Sequence, residues 1–457
     1  MLLVASIASF STPFMLSAIN IALPAISREL DMSAQGLGWI SLSFLMASTV
    51  LLVPLGRAAD IYGRKKIFTI GFIIFTSASL LCALAGAAWQ LILFRTLQGV
   101  GSSMIFGTAI AILTSVYPPA GRGKALGMVA ASVYLGLSLG PFLGGILVQH
   151  FSWRSIFYLN VPIGLWVLYL LFTRVKGEWR AAESGAFDLK GSLIYSLSLA
   201  ALIYGASVIT SGKGILLILA GTAGFTEFLR HEARTPYPVL NARLFLGNKV
   251  FAFSSLAALL NYCASFALGF LLSLYLQYVK GLSPQQAGLI MVVQPVFMAV
   301  FSPVAGRLSD RIEPRIVASW GMTLTTAGLL FFSGINAGTP MSVIVAGLCV
   351  LGLGLALFSS PNTNAVMGSA NPRTYSLASA LLATMRVGGQ MFSMAVVMLL
   401  FSLLIGGGKI GSGNLERFTL SFRISIYIFS ALSFLGIFAS LKRGNVRESR
   451  LRTQNSA

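Results

Sequence analysis

Fourteen apolar runs, each long enough to cross a lipid bilayer as a helix, divide this chain of 457 residues. A membrane-spanning helix needs roughly 20 predominantly apolar residues. The runs cover residues 3–23, 37–56, 67–87, 89–113, 124–148, 155–173, 189–209, 213–229, 249–278, 286–306, 316–335, 340–362, 376–405 and 419–441. Only 10% of the residues are charged, against about 25% in ordinary soluble domains. Because a soluble fold must expose much of its surface to water, the sequence excludes a soluble enzyme, a nucleic-acid-binding domain and a disordered chain.

The distribution of lysine and arginine predicts the orientation of the runs. The chain carries 32 basic and 12 acidic residues. If the N-terminus is cytoplasmic, most basic residues fall in the loops and the tail on the cytoplasmic side, as the positive-inside rule requires. The pattern predicts an even number of helices with both termini in the cytoplasm, and it explains the net positive charge without a nucleic-acid partner.

Two short motifs of the same form predict an internal repeat. Residues 56–66 read GRAADIYGRKK after the second run, and residues 306–315 read GRLSDRIEPR after the tenth. Many secondary transporters are built from two related halves. We therefore predict an N-terminal six-helix bundle, a linker with an inserted helix pair, a C-terminal six-helix bundle and a basic tail, at residues 1–176, 177–232, 233–442 and 443–457.

Four motifs, in order along the chain, resemble those of the major facilitator superfamily, specifically of its fourteen-helix drug:proton antiporter (multidrug efflux) branch. They are the motif at 56–66, RTLQGVG at 95–101, GLSLGPFLGG at 136–145 and WRSIFYLNVPIG at 153–164. The resemblance implies an all-α, multi-pass protein of the cell membrane, with two six-helix bundles around a central cavity and two inserted helices. It also implies a monomer that moves small molecules by alternating access, without a cofactor and with protons as the candidate coupling ion.

The resemblance assigns a gating role to the two repeated motifs. The candidate residues are Gly56, Asp60, Gly63, Arg64, Asp310 and Arg311. Asp60, at the inner end of the second helix, could accept hydrogen bonds from the N-terminus of helix 13, because the free N–H groups there favour a negative charge. Arg64 would pair with Asp60 or a nearby acid, and this clamp would hold the inner side closed. A role in topology alone is the alternative.

Two arginines lie inside predicted spans and are candidates for the transport cavity. An arginine within the membrane is costly and usually faces a cavity or a partner. Arg95 lies near the outer end of the fourth run, about one turn before Gln98, and snorkelling to the membrane surface is the alternative there. Arg386 lies near the middle of the thirteenth run, where snorkelling is harder. We expect Arg386 to face the cavity or a contact between helices.

Three further polar residues in the runs, Asn20, Gln294 and Asn362, are candidates for substrate contact or coupling. Gln294 and Asn362 adjoin prolines, and a proline in a span frees backbone groups that can line a cavity. A polar side chain can also simply link two helices, and this explanation is at least as good for each residue.

The fifth run carries small residues at helical spacing. Gly136, Gly140 and Gly144 recur every fourth residue and share one face, with Pro141 and Gly145 beside them. Small residues let two helix backbones approach closely in lipid, and a proline can bend a helix. We expect a close, bendable contact between the two halves, although ordinary packing of small residues gives the same pattern.

The first run departs from the antiporter pattern at one position. Residues 19–24, INIALP, match that pattern, but Met15 stands where an aspartate is usual. None of the twelve acids lies in the middle of a span in either six-helix half. We therefore expect a cavity that prefers neutral or anionic substrates to organic cations. Proton coupling would then need another route, such as protonation of the substrate itself.

The sequence thus predicts a secondary transporter and not an enzyme. It has no HExxH motif, no GxxxxGK[ST] motif and no metal-ligand spacing among its three cysteines and two histidines. The preferred interpretation is export of amphipathic compounds, as in multidrug efflux. The alternatives are a dedicated carrier of a neutral or anionic metabolite and a membrane sensor that does not transport.

Overall fold

The computed structural model describes residues 1–117, 119–180, 186–209, 212–235, 248–369, 375–411 and 413–445. Within these residues the chain forms fourteen helices that are long and apolar enough to cross a membrane, and it forms no β-strand. The number and type of the predicted spans are therefore confirmed. Helices are the expected solution, because a single segment in lipid must satisfy its backbone N–H and C=O groups internally.

We number the spans α1 to α14. The first half contains α1 (Leu2–Glu29), α2 (Ala34–Tyr62), α3 (Arg64–Ala83), α4 (Ala88–Val116), α5 (Pro119–His150) and α6 (Arg154–Thr173). The inserted pair is α7 (Leu189–Ser207) and α8 (Gly212–Arg234). The second half contains α9 (Lys249–Leu274, extended by a π-helical turn at Tyr275–Val279), α10 (Pro284–Met291 and Val293–Arg311), α11 (Pro314–Ser333), α12 (Met341–Ser369), α13 (Tyr375–Leu404) and α14 (Leu415–Lys442).

The two halves repeat the same packing. In the first half α1 packs on α5, α2 packs on α4, and α3 packs on both α4 and α6. In the second half α9 packs on α13, α10 on α12, and α11 on both α12 and α14. Each packing pair of the second half corresponds to a pair of the first half, with eight added to both helix numbers. The repeat predicted from the two short motifs therefore extends to the helix packing.

Equivalent helices of the two halves also begin in the same way. Ser33 precedes α2 and accepts a hydrogen bond from the backbone N–H of Gly36 at 3.2 Å. Ser283 precedes α10 and accepts one from Gln286 at 3.3 Å, while the Gln286 side chain accepts from the Ser283 backbone N–H at 3.1 Å. Both serines satisfy N–H groups that lack a partner in the first turn of a helix.

Because the number of spans is even, α1 begins and α14 ends at the same face of the protein. We call this the inner face and the opposite one the outer face. The main contacts between the halves are made by α2 with α13 and by α5 with α10, and α1 also touches α9. These helices therefore form the seam along which a substrate path must run.

The inserted pair lies beside this seam. Helix α7 contacts both α2 and α13, and α8 packs mainly against α7. The Ser196 hydroxyl of α7 donates to the Val50 carbonyl of α2 at 3.3 Å. Near the outer end, the rings of Trp39 and Tyr204 lie 5.6 Å apart. The pair is thus attached to both halves through α7, while α8 leaves most of its surface exposed.

Candidate translocation site and gates

The motif at residues 56–66 forms the end of one helix, a one-residue turn and the start of the next helix. Helix α2 continues through Asp60 to Tyr62, and α3 starts at Arg64. Between them, Gly63 has φ of +120°, a conformation that a residue with a Cβ rarely adopts. A Cβ there would also lie 2.7 Å from the Glu178 side chain. The two helices are therefore joined tightly at the inner face.

Arg64 links three helices at this turn. Its guanidinium forms an ion pair with Asp60 at 2.7 Å and donates to the Ser115 hydroxyl of α4 at 2.7 Å. Arg64 is buried, with 9% of its surface exposed. The geometry gives the pair Asp60–Arg64 that the sequence predicted. The contact of Asp60 with the start of α13 stays a prediction, because residues 370–374 and the side chains of 375–377 lie outside the described residues.

A carboxylate does cap a helix at this turn, but it is Glu178. Its two oxygens accept hydrogen bonds from the backbone N–H groups of Lys65 at 2.7 Å and Lys66 at 3.1 Å, at the start of α3. An acid at a helix N-terminus is stabilised by the free N–H groups and the helix dipole. By sequence Glu178 belongs only to the predicted linker, because more than a hundred residues separate it from Lys65 along the chain.

The equivalent motif of the second half is also helical. Asp310 and Arg311 are the last residues of α10, and both are exposed at the inner face. Ser309, the residue before Asp310, accepts a hydrogen bond from the Asn364 side chain of α12 at 2.7 Å. The motif therefore marks the same place in both halves, the inner end of the second helix of each bundle.

A second buried arginine, Arg443, holds the inner end of the C-terminal bundle. By sequence Arg443 begins the predicted basic tail, but it directly follows α14 and has no exposed surface. Its guanidinium donates to the Ser440 hydroxyl at 2.6 Å, to the Asn362 side-chain oxygen at 3.1 Å and to the Ser254 hydroxyl at 3.3 Å. Burial lowers the pKa of Arg443 to about 9, which leaves it charged at neutral pH. The rest of the predicted tail, 446–457, lies outside the described residues.

We predict that Arg443→Met lowers the stability of the purified protein. The change removes the donor that serves the Asn362 side-chain oxygen, and a buried acceptor left without a partner costs about 1–3 kcal/mol. The melting temperature in detergent should fall by several degrees. The matched control is Lys442→Met, one residue earlier and exposed, which should leave the melting temperature unchanged. Equal melting temperatures for both variants would contradict the prediction.

Arg95 and Gln98 are fully buried inside the first half. The Arg95 guanidinium donates to the Gln98 side-chain oxygen at 2.6 Å and to the Ile40 carbonyl of α2 at 3.1 Å. It also stacks on the Phe44 ring, 4.5 Å from the centroid. Gln98 in turn donates to Ser79 of α3 at 2.8 Å. In this state the two residues join α2, α3 and α4 and do not open onto solvent. Snorkelling of Arg95 to the surface is excluded by its zero exposure.

Arg386 is the more accessible of the two membrane arginines. It is half-buried on α13, and its guanidinium lies 5.0 Å from the centroid of the Tyr262 ring of α9. The Nε atom is buried without a hydrogen-bond partner. The Tyr262 hydroxyl is 3.3 Å from the Ser359 hydroxyl of α12. Arg386 therefore carries unused hydrogen-bonding capacity next to a polar pair from two other helices of the second half.

The three other polar candidates have different surroundings. Asn20 is buried at the contact between α1 and α9, and its backbone oxygen accepts from Ser273 at 2.6 Å. Gln294 is half-buried on α10. Asn362 is buried, donates to the Ser254 carbonyl at 3.1 Å and accepts from Arg443, so it links helices in this state.

The glycines of α5 serve two separate contacts. One set packs against the backbone of α1, a helix of the same half. It consists of Gly136, Gly140 and Gly144, which lie near Phe10, Phe14 and Ala18. This differs from the expected contact between halves. Two neighbours on α5 do make that contact.

Pro141 and Gly145 face α10 of the other half. A Cβ on Gly145 would lie 2.7 Å from the Pro284 carbonyl oxygen, and Gly288 of α10 lies directly against the Pro141 carbonyl. The same part of α5 thus contacts α1 through one face and α10 through another, because positions one residue apart point in different directions around a helix.

Polar contacts join the two halves near the outer face. The Ser273 hydroxyl donates to the Asn20 carbonyl, and the Gln277 amide donates to the Ile21 carbonyl at 3.1 Å. Asp31 forms an ion pair with Lys409. Two further contacts in this region are the backbone hydrogen bond from Ala34 to Gly408 and the contact of His150 with Gln285. The halves are therefore closed against each other at the outer side.

Met15, at the position where an aspartate is usual, is fully buried in α1. Its sulfur lies 3.9 Å from the side-chain nitrogen of Asn160 of α6, and the Asn160 side-chain oxygen is buried without a partner. Met15 thus points toward α6 inside the first half. The described residues contain no cluster of acidic, histidine or cysteine side chains that could hold a metal ion.

Fourteen membrane-capable helices in two related halves, joined along a seam that is closed at the outer face, form the architecture of a multi-pass membrane protein. The comparisons with known proteins identify the family. The family model for the Major Facilitator Superfamily matches residues 5–252 and 254–456. The chain belongs to the Major Facilitator Superfamily, and it is a multi-pass protein of the bacterial cell membrane that transports small molecules.

Two relatives and one solved structure illustrate the similarity. The chain is 30% identical over 373 residues to the riboflavin transporter RibZ of Clostridioides difficile, covering 81% of each chain. It is 30% identical over 387 residues to the multidrug resistance protein Stp of Mycobacterium tuberculosis, covering 83% of this chain and 71% of that one. A bacterial homolog of the human lysosomal transporter Spinster, in an inward-facing and unoccupied conformation, superimposes with a TM-score of 0.68 at 16% identity, covering 99% and 97%.

Proposed function

We propose that this protein exports amphipathic small molecules by alternating access, as a monomer. The observation that carries the proposal is the seam, where the halves are tied together near the outer face by Ser273, Gln277 and Gly288. In this mechanism these contacts open when the inner ends close, so that a substrate bound between the halves changes sides. The similarity to the tetracenomycin C resistance and export protein of Streptomyces glaucescens, 30% identical over 412 residues, supports export.

The inner face is the cytoplasmic face in this proposal. It carries the ends of helices with Lys65, Lys66, Arg311, Lys442 and Arg443, and basic residues concentrate on the cytoplasmic side of membrane proteins. In the proposed cycle, the closed contacts at the outer face belong to the state that receives substrate from the cytoplasm. Asp60, Arg64, Asp310 and Arg311 act at this face in closing the inner ends.

The substrates are neutral or anionic. Arg386 offers a positive charge and a free Nε–H near Tyr262, whereas Met15 provides no carboxylate where the antiporter pattern has one. A buried cation needs a counter-charge because desolvation of an isolated charge is costly. Protons, if coupled to transport, are carried by the substrate in this scheme.

Transport by the purified protein in liposomes tests the proposal. Three fluorescent probes of different charge separate the outcomes: riboflavin as a neutral compound, fluorescein as an anion and ethidium as a cation. With a pH gradient we expect movement of riboflavin or fluorescein and none of ethidium. Accumulation of ethidium driven by the gradient would overturn both the substrate class and the coupling scheme. No movement of any probe would favour a sensor.

We predict that Arg386→Gln lowers fluorescein transport by about tenfold while changing riboflavin transport much less, because a charge-assisted hydrogen bond is worth roughly 1.5–3 kcal/mol. Arg386→Lys is the matched control, since it keeps the charge and should retain part of the fluorescein transport. Both variants should keep the wild-type melting temperature, because Arg386 is half-buried and its Nε atom has no hydrogen-bond partner to lose. Equal loss with both probes would assign Arg386 to the transport cycle and not to substrate charge.

A dedicated metabolite carrier is the second candidate, favoured by the 30% identity to a riboflavin transporter. The number of accepted substrates distinguishes the two. A carrier should move one compound with saturation at low concentration, and an exporter of many compounds should move several unrelated ones that compete with each other.

A further inference from the structure

A basic pocket lies at the inner end of the inserted helix pair, away from the seam. Its lining consists of Lys190 from the first turn of α7 and of Glu227, Arg230, His231 and Arg234 from the last turns of α8. The pocket has a volume of about 390 Å³. None of these residues belongs to the transport site described above.

The charges of this pocket are only partly used within the protein. Glu227 forms a long ion pair with Arg230, at 3.8 Å, and both side chains remain more than half exposed. Asp188, which caps α7 through Gly191 at 2.8 Å, contacts the ring of His231 at 3.0 Å. Lys190, Arg230 and Arg234 therefore leave a net positive charge facing the pocket.

The pocket continues into an exposed apolar surface toward the membrane centre. On α7, Leu193 and Leu197 follow Lys190 on the same face, and they are 51% and 68% exposed. On α8, Leu219 lies three turns from Arg230 and is 62% exposed. A positive pocket at a helix end with apolar side chains extending into the bilayer matches one chemistry, a negatively charged head group attached to acyl chains.

We propose that this pocket binds one anionic phospholipid of the inner leaflet, with its phosphate at Lys190, Arg230 and Arg234 and its acyl chains along Leu193 and Leu197. Basic pockets between helices on the cytoplasmic side are suited to such head groups. The lipid bridges the inner ends of α7 and α8. Because α8 packs mainly on α7, the lipid fastens the outermost helix of the protein.

The contacts between α7 and α8 explain why the lipid has a place to bind. Gly205 lies against Gly214, Gly221 against Ser198, and Tyr195 packs on Phe228 with ring centroids 5.2 Å apart. These small and aromatic residues hold the helices close along their length. At the inner end the side chains become long and basic, so the surface between the helices widens into the pocket.

Lipid titration of the purified full-length protein, followed by native mass spectrometry, tests the proposal. Phosphatidylglycerol is the anionic probe, phosphatidylcholine the zwitterionic one, and inorganic phosphate and glycerol phosphate are the probes without acyl chains. We expect one phosphatidylglycerol to bind about tenfold more tightly than phosphatidylcholine. Equal affinity for the two lipids would overturn the proposal, and binding of phosphate or glycerol phosphate as tight as that of the lipid would assign the pocket to a soluble anion instead.

Two triple variants with the same loss of charge locate the site. The pocket variant is Lys190→Gln, Arg230→Gln and Arg234→Gln, and the control is Arg174→Gln, Lys176→Gln and Lys442→Gln, exposed residues of the inner face outside the pocket. The pocket variant should lose about tenfold in phosphatidylglycerol affinity and the control less than about twofold. An equal loss in both would show a diffuse electrostatic effect and overturn the proposal.

The single variant Arg234→Gln should lose about threefold in phosphatidylglycerol affinity. It gives the same test if the pocket triple variant cannot be purified. The assignment to the inner leaflet rests on the orientation in the proposed function, but these measurements report lipid binding and not transport, so failure of one is distinguishable from failure of the other.

Discussion

Gly288→Ala is expected to lower transport strongly while both halves of the protein stay folded. Gly288 lies on α10 at the contact with α5, and a Cβ there would clash with the Pro141 carbonyl oxygen and lie 3.3 Å from the Gly145 Cα. These atoms belong to the backbone of the other half and cannot rotate away. The clash is relieved only if the halves separate at the outer face.

The size of the expected effect follows from the cost of the clash. Overpacking typically costs about 1–3 kcal/mol, and every 1.4 kcal/mol changes a population by about tenfold. A transporter that cannot close its outer side cannot complete the cycle, so transport should fall by at least about tenfold. The packing inside each half is untouched, and the melting temperature should remain near that of the wild type.

Gly269→Ala is the matched control. Gly269 lies on α9 beside α1, but a Cβ there would be 3.6 Å from the Asn20 side-chain nitrogen, an ordinary contact. Transport by this variant should stay within about twofold of the wild-type rate.

Cysteine labelling from the outer side completes the experiment. Ser273→Cys, in a chain whose native cysteines are replaced, places a thiol in a contact that has no exposed surface. A maleimide that cannot cross membranes should label it faster when Gly288→Ala is also present. Normal transport, or unchanged labelling, would contradict the assignment of Gly288 to outer closure.

Gly136→Ala is expected to destabilise the N-terminal half itself. A Cβ at Gly136 would lie 2.5 Å from the Phe10 carbonyl oxygen and 3.1 Å from the Phe14 backbone nitrogen, both in α1. Helices α1 and α5 form a main packing pair of this half. The change should lower the stability by about 2 kcal/mol, seen as a lower melting temperature and a smaller yield of monodisperse protein.

Gly127→Ala on the same helix controls for helix propensity. A Cβ at Gly127 would have no neighbour within 4 Å, and alanine favours a helix over glycine by up to about 1 kcal/mol. The control should therefore be as stable as the wild type or slightly more stable. The stabilities of the two variants should change in opposite directions. Gly136→Ala adds a clash, whereas Gly127→Ala only restricts the backbone of the unfolded chain. A stable Gly136→Ala protein would show that α1 can shift away from α5 without cost.

Several features of the site were predictable because they depend on local sequence. The fourteen spans follow from apolar runs, and the duplicated motif correctly marked the inner end of the second helix in each half. The pairing of Arg64 with Asp60 follows from their separation by one helical turn. Glycines at every fourth position of α5 predicted a close helix contact, which the structure contains.

Other features depend on which helices become neighbours. The partner of the α5 glycines is α1 of the same half, and only Pro141 and Gly145 face the other half. Glu178 caps α3, and Arg443, at the start of the predicted tail, donates a hydrogen bond to Asn362 inside the C-terminal bundle. Arg95 has no exposed surface. None of these contacts has a signal in the residues adjacent to it along the chain.

The sequence by itself determined the solvent of this protein, the number of its spans and its division into two related halves, because bilayer thickness and backbone hydrogen bonding restrict an apolar run to one structure. It also showed that Arg95 and Arg386 lie inside apolar runs, where an arginine is costly. Only the tertiary structure decided that Arg95 is fully buried in a hydrogen-bond network and that Arg386 is half-buried beside Tyr262. The reason is physical: the cost of a charge in a membrane is set by the groups that surround it, and those groups come from helices far away in the sequence.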